Sequence, residues 1–503
     1  MSDKKSYGQI LKSSSIMGGA AVITMMLGMV RTKFAAVLIG ASGVGLMASF
    51  IAIQGVIETI AGMGIRTSAV REVAAAIGND DQNAIGRAVL TLRRVSWLTG
   101  LIGMMAMVLF SPFISQLTFG SSEYTYDIAA LGIIILMANI SGGQMALIQG
   151  MRRIGDLARV NIIGGLLATI TAIGFYYWLG LRGIVPSLVV VAAITLAISW
   201  RFARRVPVPH VELTWRQTFV EAGGMVRLGL AMMWVGLISS MVYFFTITLI
   251  SQQLSLQAVG IFTAAYALSG MFVDFVFKAM AADYYPRLTG LVPNKDKMNH
   301  LVNEQTEIGI LLAVPGLLAT LTLAPWLIQL FYTSEFLNAV DLVHWFILGC
   351  FIRVFQWPIG FLLLALGKAT VWIYTQTAFS LIHAIFIWIG VTTIGVEGAA
   401  AAYFALYLVS LGVILMVAKR LTGFSWSNST CKLLFICAPT VILTFVTTKL
   451  LQIWPATIIG LVVSSISLVY CMRAVVQRVG TDHRIARLLA RIPGIKTIIY
   501  AGS

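Results

Sequence analysis

The chain has 503 residues, of which 59% are hydrophobic and only 11% are charged, and its formal net charge is +16. Soluble globular domains carry roughly 25% charged residues, so this composition excludes a protein whose surface lies mainly in water. Apolar stretches recur from end to end. In hydrocarbon the backbone must satisfy its own hydrogen bonds, and we therefore predict an all-α, polytopic membrane protein.

The apolar stretches predict 14 transmembrane helices, each long enough to cross about 30 Å of hydrocarbon. The predicted starts lie near Ile10, Leu46, Ile85, Tyr124, Asp156, Ile184, Phe219, Ala258, Leu301, Leu337, Thr370, Gly398, Leu433 and Pro455. The first stretch has no small-residue cleavage site followed by a soluble domain, which indicates a retained helix and not a signal peptide.

The basic residues are distributed unequally between the two sets of loops. Of the 35 Lys and Arg residues, 28 fall in one set of loops and the termini, and only Arg182 and Lys449 fall in the opposite set. The positive-inside rule then places the N-terminus and the C-terminus in the cytoplasm. Topology and contact with anionic membrane lipids account for much of the net charge, so we predict no nucleic-acid partner.

No residue pattern indicates catalysis, a cofactor or a metal site. A phosphate-binding glycine loop with Lys and Ser/Thr is absent, the five histidines are scattered, and the four cysteines lack metal-type spacing. We therefore predict a transporter with no catalytic residue, and not an enzyme.

An internal repeat relates helices 1–6 to helices 7–12. The segment from Gly150 to Gly183 and the segment from Gly367 to Gly398 have the same order of turn, helix and turn, with glycine spacings of 33 and 31 residues. Since six is an even number, both halves start on the same side of the membrane. Parallel repeats of this kind place a central cavity at their interface.

The repeat predicts the domain organisation. Residues 1–205 form an N-terminal lobe, 206–216 a cytoplasmic linker and 217–420 a C-terminal lobe. Residues 421–475 contain helices 13 and 14, outside the repeat, and 476–503 form a basic cytoplasmic tail, either an amphipathic segment on the membrane surface or a disordered one.

Seven charged residues are predicted to lie at membrane depth once both sets of loops are removed. A charge near the bilayer centre costs about 2.5–3.5 kcal/mol, so it faces protein or water by default. Clustered cations favour an anionic ligand, and Arg can bind phosphate oxygens through two parallel hydrogen bonds. The substrate-binding candidates are Arg31, Lys33, Arg227, Lys278 and Arg353, and the ion-coupling candidates are the acidic residues Glu58 and Asp274.

Structural roles remain open for four of the cations. Arg31 and Lys33 could extend their side chains outward to the membrane surface. Arg227 could be an ordinary interface anchor near the cytoplasmic end of helix 7. Arg353, shortly before Pro358, could stabilise a broken helix.

The two acidic residues also have structural alternatives. Asp274 and Lys278 have the i,i+4 spacing of an internal ion pair. Glu58 has no obvious partner nearby in the sequence, which favours either a partner on another helix or a site that binds a proton.

Several segments resemble the Wzx-type O-antigen and enterobacterial-common-antigen translocases of the multidrug/oligosaccharidyl-lipid/polysaccharide exporter superfamily. The resemblance covers about residues 10–420 in a consistent order. Its segments are Met29–Gly45, Gly62–Ala74, Tyr284–Leu288, Gly367–Lys368 and Gly395–Ala400.

This resemblance implies a MATE-like fold, with two six-helix lobes around a V-shaped cavity lined by helices 1, 2, 7 and 8. It implies that the protein carries an undecaprenyl-pyrophosphate-linked oligosaccharide, of the O-antigen repeat-unit type, across the bacterial inner membrane for lipopolysaccharide biosynthesis. Lys33 matches a position that is basic in similar translocases. Coupling to a counter-ion, H+ or Na+, and contact with the glycan polymerase machinery are further expectations. Helices 13 and 14 are an extra pair that the shorter members of these translocases, with 12 helices, do not have.

Three other functions remain open. A lipid II flippase of peptidoglycan synthesis shares the count of 14 helices and a cationic cavity. A MATE-type drug/cation antiporter would be expected to have acidic residues in its cavity. A membrane-bound polymerase or ligase usually has a large periplasmic loop, whereas the predicted outer loops here are short.

Overall fold

The computed structural model describes residues 3–79 and 81–479. All regular structure within these ranges is helical. The helices are α1 (Asp3–Gly62), α2 (Ile65–Gly78), α3 (Gln82–Phe119), α4 (Thr125–Gly150), α5 (Ile154–Leu179), α6 (Ile184–Ala203), α7 (Trp215–Gln253), α8 (Leu256–Gly290), α9 (Lys295–Phe331), α10 (Ala339–Ala365), α11 (Ala369–Ile394), α12 (Val396–Thr422), α13 (Asn428–Leu450) and α14 (Ile453–Val479). Short 3-10 helices occupy Gly180–Gly183 and Ser334–Phe336. The predicted basic tail from residue 480 onward lies outside the described residues.

The number of transmembrane helices agrees with the prediction. Twelve stretches of the described chain are apolar and long enough to cross a membrane. Two of them, Ile16–Gly62 and Ile154–Ala203, contain two helices each, which gives 14 in total. The predicted helices 3–14 correspond to α3–α14. The prediction of a polytopic, all-α membrane protein is confirmed.

Helices 1 and 2 are joined by a bend and not by a loop. Gly40 has a non-helical backbone (φ 65°, ψ −174°), and α1 continues as a helix on both sides of it. Residues 3–39 form the first arm of α1 and residues 41–62 the second arm. A positive φ is tolerated at Gly40 because glycine has no Cβ. The connection predicted at residues 40–44 is therefore a single residue long.

The short helix α2 lies in a region that the sequence assigned to a loop. Its 14 residues are too few to cross the membrane. It begins after Gly64, which has a left-handed backbone (φ 64°), and it buries Ile65, Ala69, Val73 and Ala76 along one face. This spacing of about four residues matches the helical period, so α2 packs one apolar face against its neighbours α3, α4 and α7.

The chain packs into two compact units. The first unit runs to Gly260 and also contains Phe331–Glu335, and the second comprises Ile261–Leu330 and the residues from Phe336 onward. The first unit thus contains α7 and the first residues of α8, in addition to α1–α6. The two lobes predicted from the repeat, divided by a linker at 206–216, stay a prediction.

Glycines bring helices of the first unit into backbone contact. A Cβ added at Gly45 would lie 1.8 Å from the carbonyl oxygen of Leu256, and one at Gly260 would lie 2.1 Å from the carbonyl oxygen of Ala41. The start of α8 therefore packs directly on the backbone of the second arm of α1. Such close approach is typical of small residues at helix contacts in membranes.

In the second unit, α13 and α14 are attached to α9 by buried polar contacts. Glu307 accepts hydrogen bonds from the hydroxyl of Ser427 (2.9 Å) and from Nε of Arg478 (2.9 Å), and its side chain is only 12% exposed. Asn303 accepts bonds from the backbone N–H of Ser427 (2.8 Å) and the hydroxyl of Thr430 (3.1 Å). The two helices outside the repeat are therefore held by specific hydrogen bonds as well as by apolar packing.

We expect the substitution Gly45→Ala to lower the apparent Tm of the purified protein in detergent. Its methyl group would clash with the Leu256 carbonyl and force α1 and α8 apart, and such overpacking costs about 1–3 kcal/mol. Gly174→Ala in α5 is the matched control, since a Cβ there meets nothing within 4 Å. Equal apparent Tm values for the two variants would contradict the backbone contact.

Candidate functional site

Lys33 is directed at protein, whereas Arg31 is exposed. Both residues lie on the first arm of α1, about 10 Å (Lys33) and about 14 Å (Arg31) before the bend at Gly40 at a rise of about 1.5 Å per residue. The half-buried Lys33 ammonium donates to the backbone carbonyl of Tyr332, which belongs to the same compact unit. Glu335 of the same segment accepts a hydrogen bond from the backbone N–H of Ala41 (3.1 Å). The segment 331–335 thus packs against the bend in α1.

Glu58 lines a small polar cavity in the first unit. The cavity has a volume of about 100 Å³ and is also lined by Arg66, Ser96 and Asn139, from α2, α3 and α4. Oε2 of Glu58 accepts a hydrogen bond from Nε2 of Gln54 (3.0 Å), one helical turn earlier. The prediction that Glu58 lacks a partner nearby in the sequence is therefore wrong. The cavity thus brings a carboxylate, an amide and a guanidinium group together.

Asp274 forms an ion pair with Arg353 and not with Lys278. The distance from Nη1 of Arg353 to Oδ1 of Asp274 is 2.9 Å, and the guanidinium also lies 5.1 Å from the ring centre of Phe277. The side chain of Arg353 is 26% exposed and that of Asp274 is 46% exposed. Lys278 is exposed, and no ion pair involves it among the described residues. The internal i,i+4 pair with Lys278, an alternative from the sequence, is not formed.

A second polar cavity, of about 210 Å³, surrounds the Asp274–Arg353 pair in the second unit. Tyr403 of α12 lines it, and the Tyr403 hydroxyl lies 3.9 Å from the sulfur of Cys350. The sequence pattern does not single out this tyrosine, because it predicts α12 only as an apolar helix. A polar aromatic residue in the middle of a transmembrane helix was the signal that could have indicated it.

The helix that carries Arg353 is continuous. Pro358 lies inside α10, which runs without interruption from Ala339 to Ala365. The interpretation of Arg353 as a residue that stabilises a broken helix is therefore wrong, since its side chain pairs with Asp274 instead. The side chain of Arg227 lies outside the described part of the structure.

In each compact unit, one of the two predicted ion-coupling carboxylates lines a small cavity. Glu58 is on the second helix of the first predicted repeat, and Asp274 is on α8, the second helix of the other repeat. These are the two acidic residues that the sequence indicated as ion-coupling candidates. Among the described residues, no group of three or more His, Cys, Asp or Glu side chains could hold a metal ion.

The sequence family described as "Polysaccharide biosynthesis protein" matches residues 35–341, more than half of the chain. The chain belongs to this family. It is also similar to the Lipid III flippase of Escherichia coli (strain K12), with 24% identity over 435 residues. The match covers 82% of this chain and 99% of that relative.

Solved structures share the fold of this family member. The structure described as "Lipid II flippase MurJ, inward closed conformation" matches with a TM-score of 0.69 at 14% identity, over 93% of this chain and 99% of that one. An inward-facing multidrug resistance MATE family transporter of the MOP superfamily matches with a TM-score of 0.68 at 15% identity, over 80% and 94%. At such identities the likeness shows the fold alone, and the prediction of a MATE-like fold is confirmed.

We expect the substitutions Asp274→Asn and Arg353→Gln each to lower the apparent Tm in detergent. The decrease in the double variant should be smaller than the sum of the two single decreases. Either single change leaves one charge of the pair without its partner, and coupling between contacting charges is about 0.5–3 kcal/mol. Arg31→Gln is the control, because the exposed Arg31 has no ion pair among the described residues. Strictly additive effects would show that the pair is not energetically coupled.

Proposed function

We propose that this protein is a flippase that moves an undecaprenyl-pyrophosphate-linked oligosaccharide, of the O-antigen repeat-unit type, across the bacterial inner membrane. The lipid-linked sugar passes from the cytoplasmic to the periplasmic leaflet by alternating access. The observation that carries the proposal is the match to a Lipid III flippase over 99% of that relative's length. Membership of the polysaccharide biosynthesis family and the fold of a flippase support it.

The intramembrane cations are proposed to bind the diphosphate and any acidic sugars of the substrate. Arg31 and Lys278 suit this role because both side chains are exposed in the structure. Lys33 is proposed to bind there as well, in exchange for its bond to the Tyr332 carbonyl. Arg353 already pairs with Asp274, so a phosphate would have to compete with that carboxylate. The proposal for Arg227 rests on the sequence alone.

Glu58 and Asp274 are proposed to couple transport to H+ or Na+. Each carboxylate lines a small polar cavity within its own unit, and each already has a hydrogen-bond or ion-pair partner. Binding of a proton or cation at Asp274 would weaken its attraction for Arg353. That change would make the guanidinium more available for a phosphate group.

The remaining elements of the proposal concern orientation and partners. The loop charges support cytoplasmic termini. Contact with the glycan polymerase machinery is proposed from the family resemblance. Two alternatives have specific support: the fold match to a lipid II flippase covers 93% of this chain, and a MATE transporter shares the fold.

We expect Arg31→Gln and Lys278→Gln to slow the translocation of an undecaprenyl-pyrophosphate-linked oligosaccharide in proteoliposomes by at least about tenfold. Each change removes a donor to phosphate, and a hydrogen bond to a charged group contributes about 1.5–3 kcal/mol. Arg182→Gln removes one positive charge from the opposite set of loops and is the matched control. Unchanged rates in both Arg31→Gln and Lys278→Gln would eliminate the proposed role of these cations.

Deletion of the gene is expected to cause the accumulation of one undecaprenyl-linked glycan on the cytoplasmic leaflet, because the carrier is no longer flipped. Extraction of glycolipids and mass spectrometry would identify the attached sugars. Accumulation of lipid II, together with rescue of a strain depleted of its lipid II flippase, would instead support the peptidoglycan alternative. Dye efflux without any glycolipid change would support the antiporter.

A further inference from the structure

A groove in the first unit adjoins the Glu58 cavity and shares Leu92, Ser96 and Gly143 with it, but its lining does not include Glu58 or any of the other candidate intramembrane charges. It has a volume of about 310 Å³, near the lower end of the range of about 300–1,000 Å³ for small-molecule sites. We call it the α3–α6 groove, since its walls are α3 and the end of α6 and its floor is α4. Its lining includes Arg93, Trp97, Ile140, Leu147, Trp200 and Arg204.

Two arginines border this groove from different helices. Arg93 is on α3, and Arg204 is the residue at the C-terminal end of α6. Both side chains are exposed, and neither makes an ion pair within the described ranges. Glu212 lines a neighbouring cavity that Arg93 also borders, without an ion pair between them. Two guanidinium groups without a carboxylate partner favour an anionic ligand, and phosphate suits their geometry.

A helix-end role explains only one of the two arginines. A cation at the C-terminus of α6 is stabilised by the helix dipole, which accounts for Arg204 without any ligand. Arg93 lies inside α3 and has no such explanation. The guanidinium carbon of Arg204 lies 3.8 Å from the ring centre of Trp200, so the ring fixes the guanidinium at the edge of the groove.

The rest of the lining is suited to a lipid. Trp97 and Trp200 are about half exposed (52% and 49%), as is typical of tryptophan at a membrane–water interface. The floor contains the apolar side chains of Ile140 and Leu147. Gly143 allows α4 to approach α3 closely, because a Cβ there would lie 2.5 Å from the hydroxyl of Ser96. A free phosphate ion would gain nothing from such an apolar floor, whereas an acyl chain would.

We propose that the α3–α6 groove binds an anionic phospholipid of the surrounding membrane. Arg93 and Arg204 hold its phosphate group, and an acyl chain lies over Ile140 and Leu147 between the two tryptophans. The positive-inside rule predicts that this end of α6 is cytoplasmic, where anionic headgroups attract basic residues. The proposal depends on the membrane location of the chain and is independent of which substrate is transported.

The test compares the variant R93Q/R204Q with R182Q/R216Q, which has the same net charge but loses arginines that do not line the groove. Purified proteins in detergent are titrated with phosphatidylglycerol or phosphatidylcholine and observed by native mass spectrometry. We expect the first phosphatidylglycerol to bind R93Q/R204Q about 30-fold more weakly, at about 1 kcal/mol per arginine. Binding of phosphatidylcholine, and all binding to the control variant, should be unchanged.

Three results would overturn the proposal. One is that R93Q/R204Q binds phosphatidylglycerol as tightly as the wild type, or that R182Q/R216Q loses as much phosphatidylglycerol affinity as R93Q/R204Q. Another is displacement of the lipid by millimolar inorganic phosphate, which indicates a free-anion site. The third is preferential displacement by undecaprenyl pyrophosphate, which indicates a site for the transported lipid. Should R93Q/R204Q fail to fold, the single variant R93Q is expected to bind phosphatidylglycerol about fivefold more weakly than the wild type.

Discussion

A charge or polar group in hydrocarbon is costly unless protein or water satisfies it, and this constraint explains where several polar side chains of this chain lie. Arg353 is paired with Asp274, and the ammonium of Lys33 binds a backbone carbonyl. Glu307 accepts hydrogen bonds from two neighbouring helices. In each case a partner from a distant part of the sequence reduces the cost of placing the charge between apolar helices.

The same constraint separates two kinds of intramembrane charge. Asp274 and Arg353 satisfy one another, so they can remain in place without a ligand. Arg31 and Lys278 are exposed and have no ion pair among the described residues, and therefore have more capacity to interact with a charged substrate.

The sequence predicted the fold well because the signal for a transmembrane helix is long and continuous. All the predicted helices from α3 to α14 are present. The sequence does not predict α2 as a separate helix because it has only 14 residues and its polar residues interrupt the apolar ones. The bend at Gly40 is not distinguished from a short loop, because a glycine can adopt the required backbone in either.

The charged residues of the candidate site were identified from the sequence, but their partners were not. Asp274 has a lysine at the local spacing of an ion pair, and only the packing of α8 against α10 decides in favour of Arg353. The partner of Glu58 was local but uncharged, and a count of charges does not detect Gln54. A count of charges does not detect Tyr403 either, because its contribution to the cavity at Asp274 and Arg353 depends on which residues surround it.

The attachment of α13 and α14 also bears on how chains of different length could arise. Without these two helices, Glu307 and Asn303 would keep their positions on α9 but lose the hydroxyl, guanidinium and backbone donors that now satisfy them. A carboxylate stranded in that way would be costly, so loss of the helix pair would require compensating changes in α9. The identity of these two positions on α9 should therefore distinguish long members of the family from short ones, even in a fragment that ends before α13.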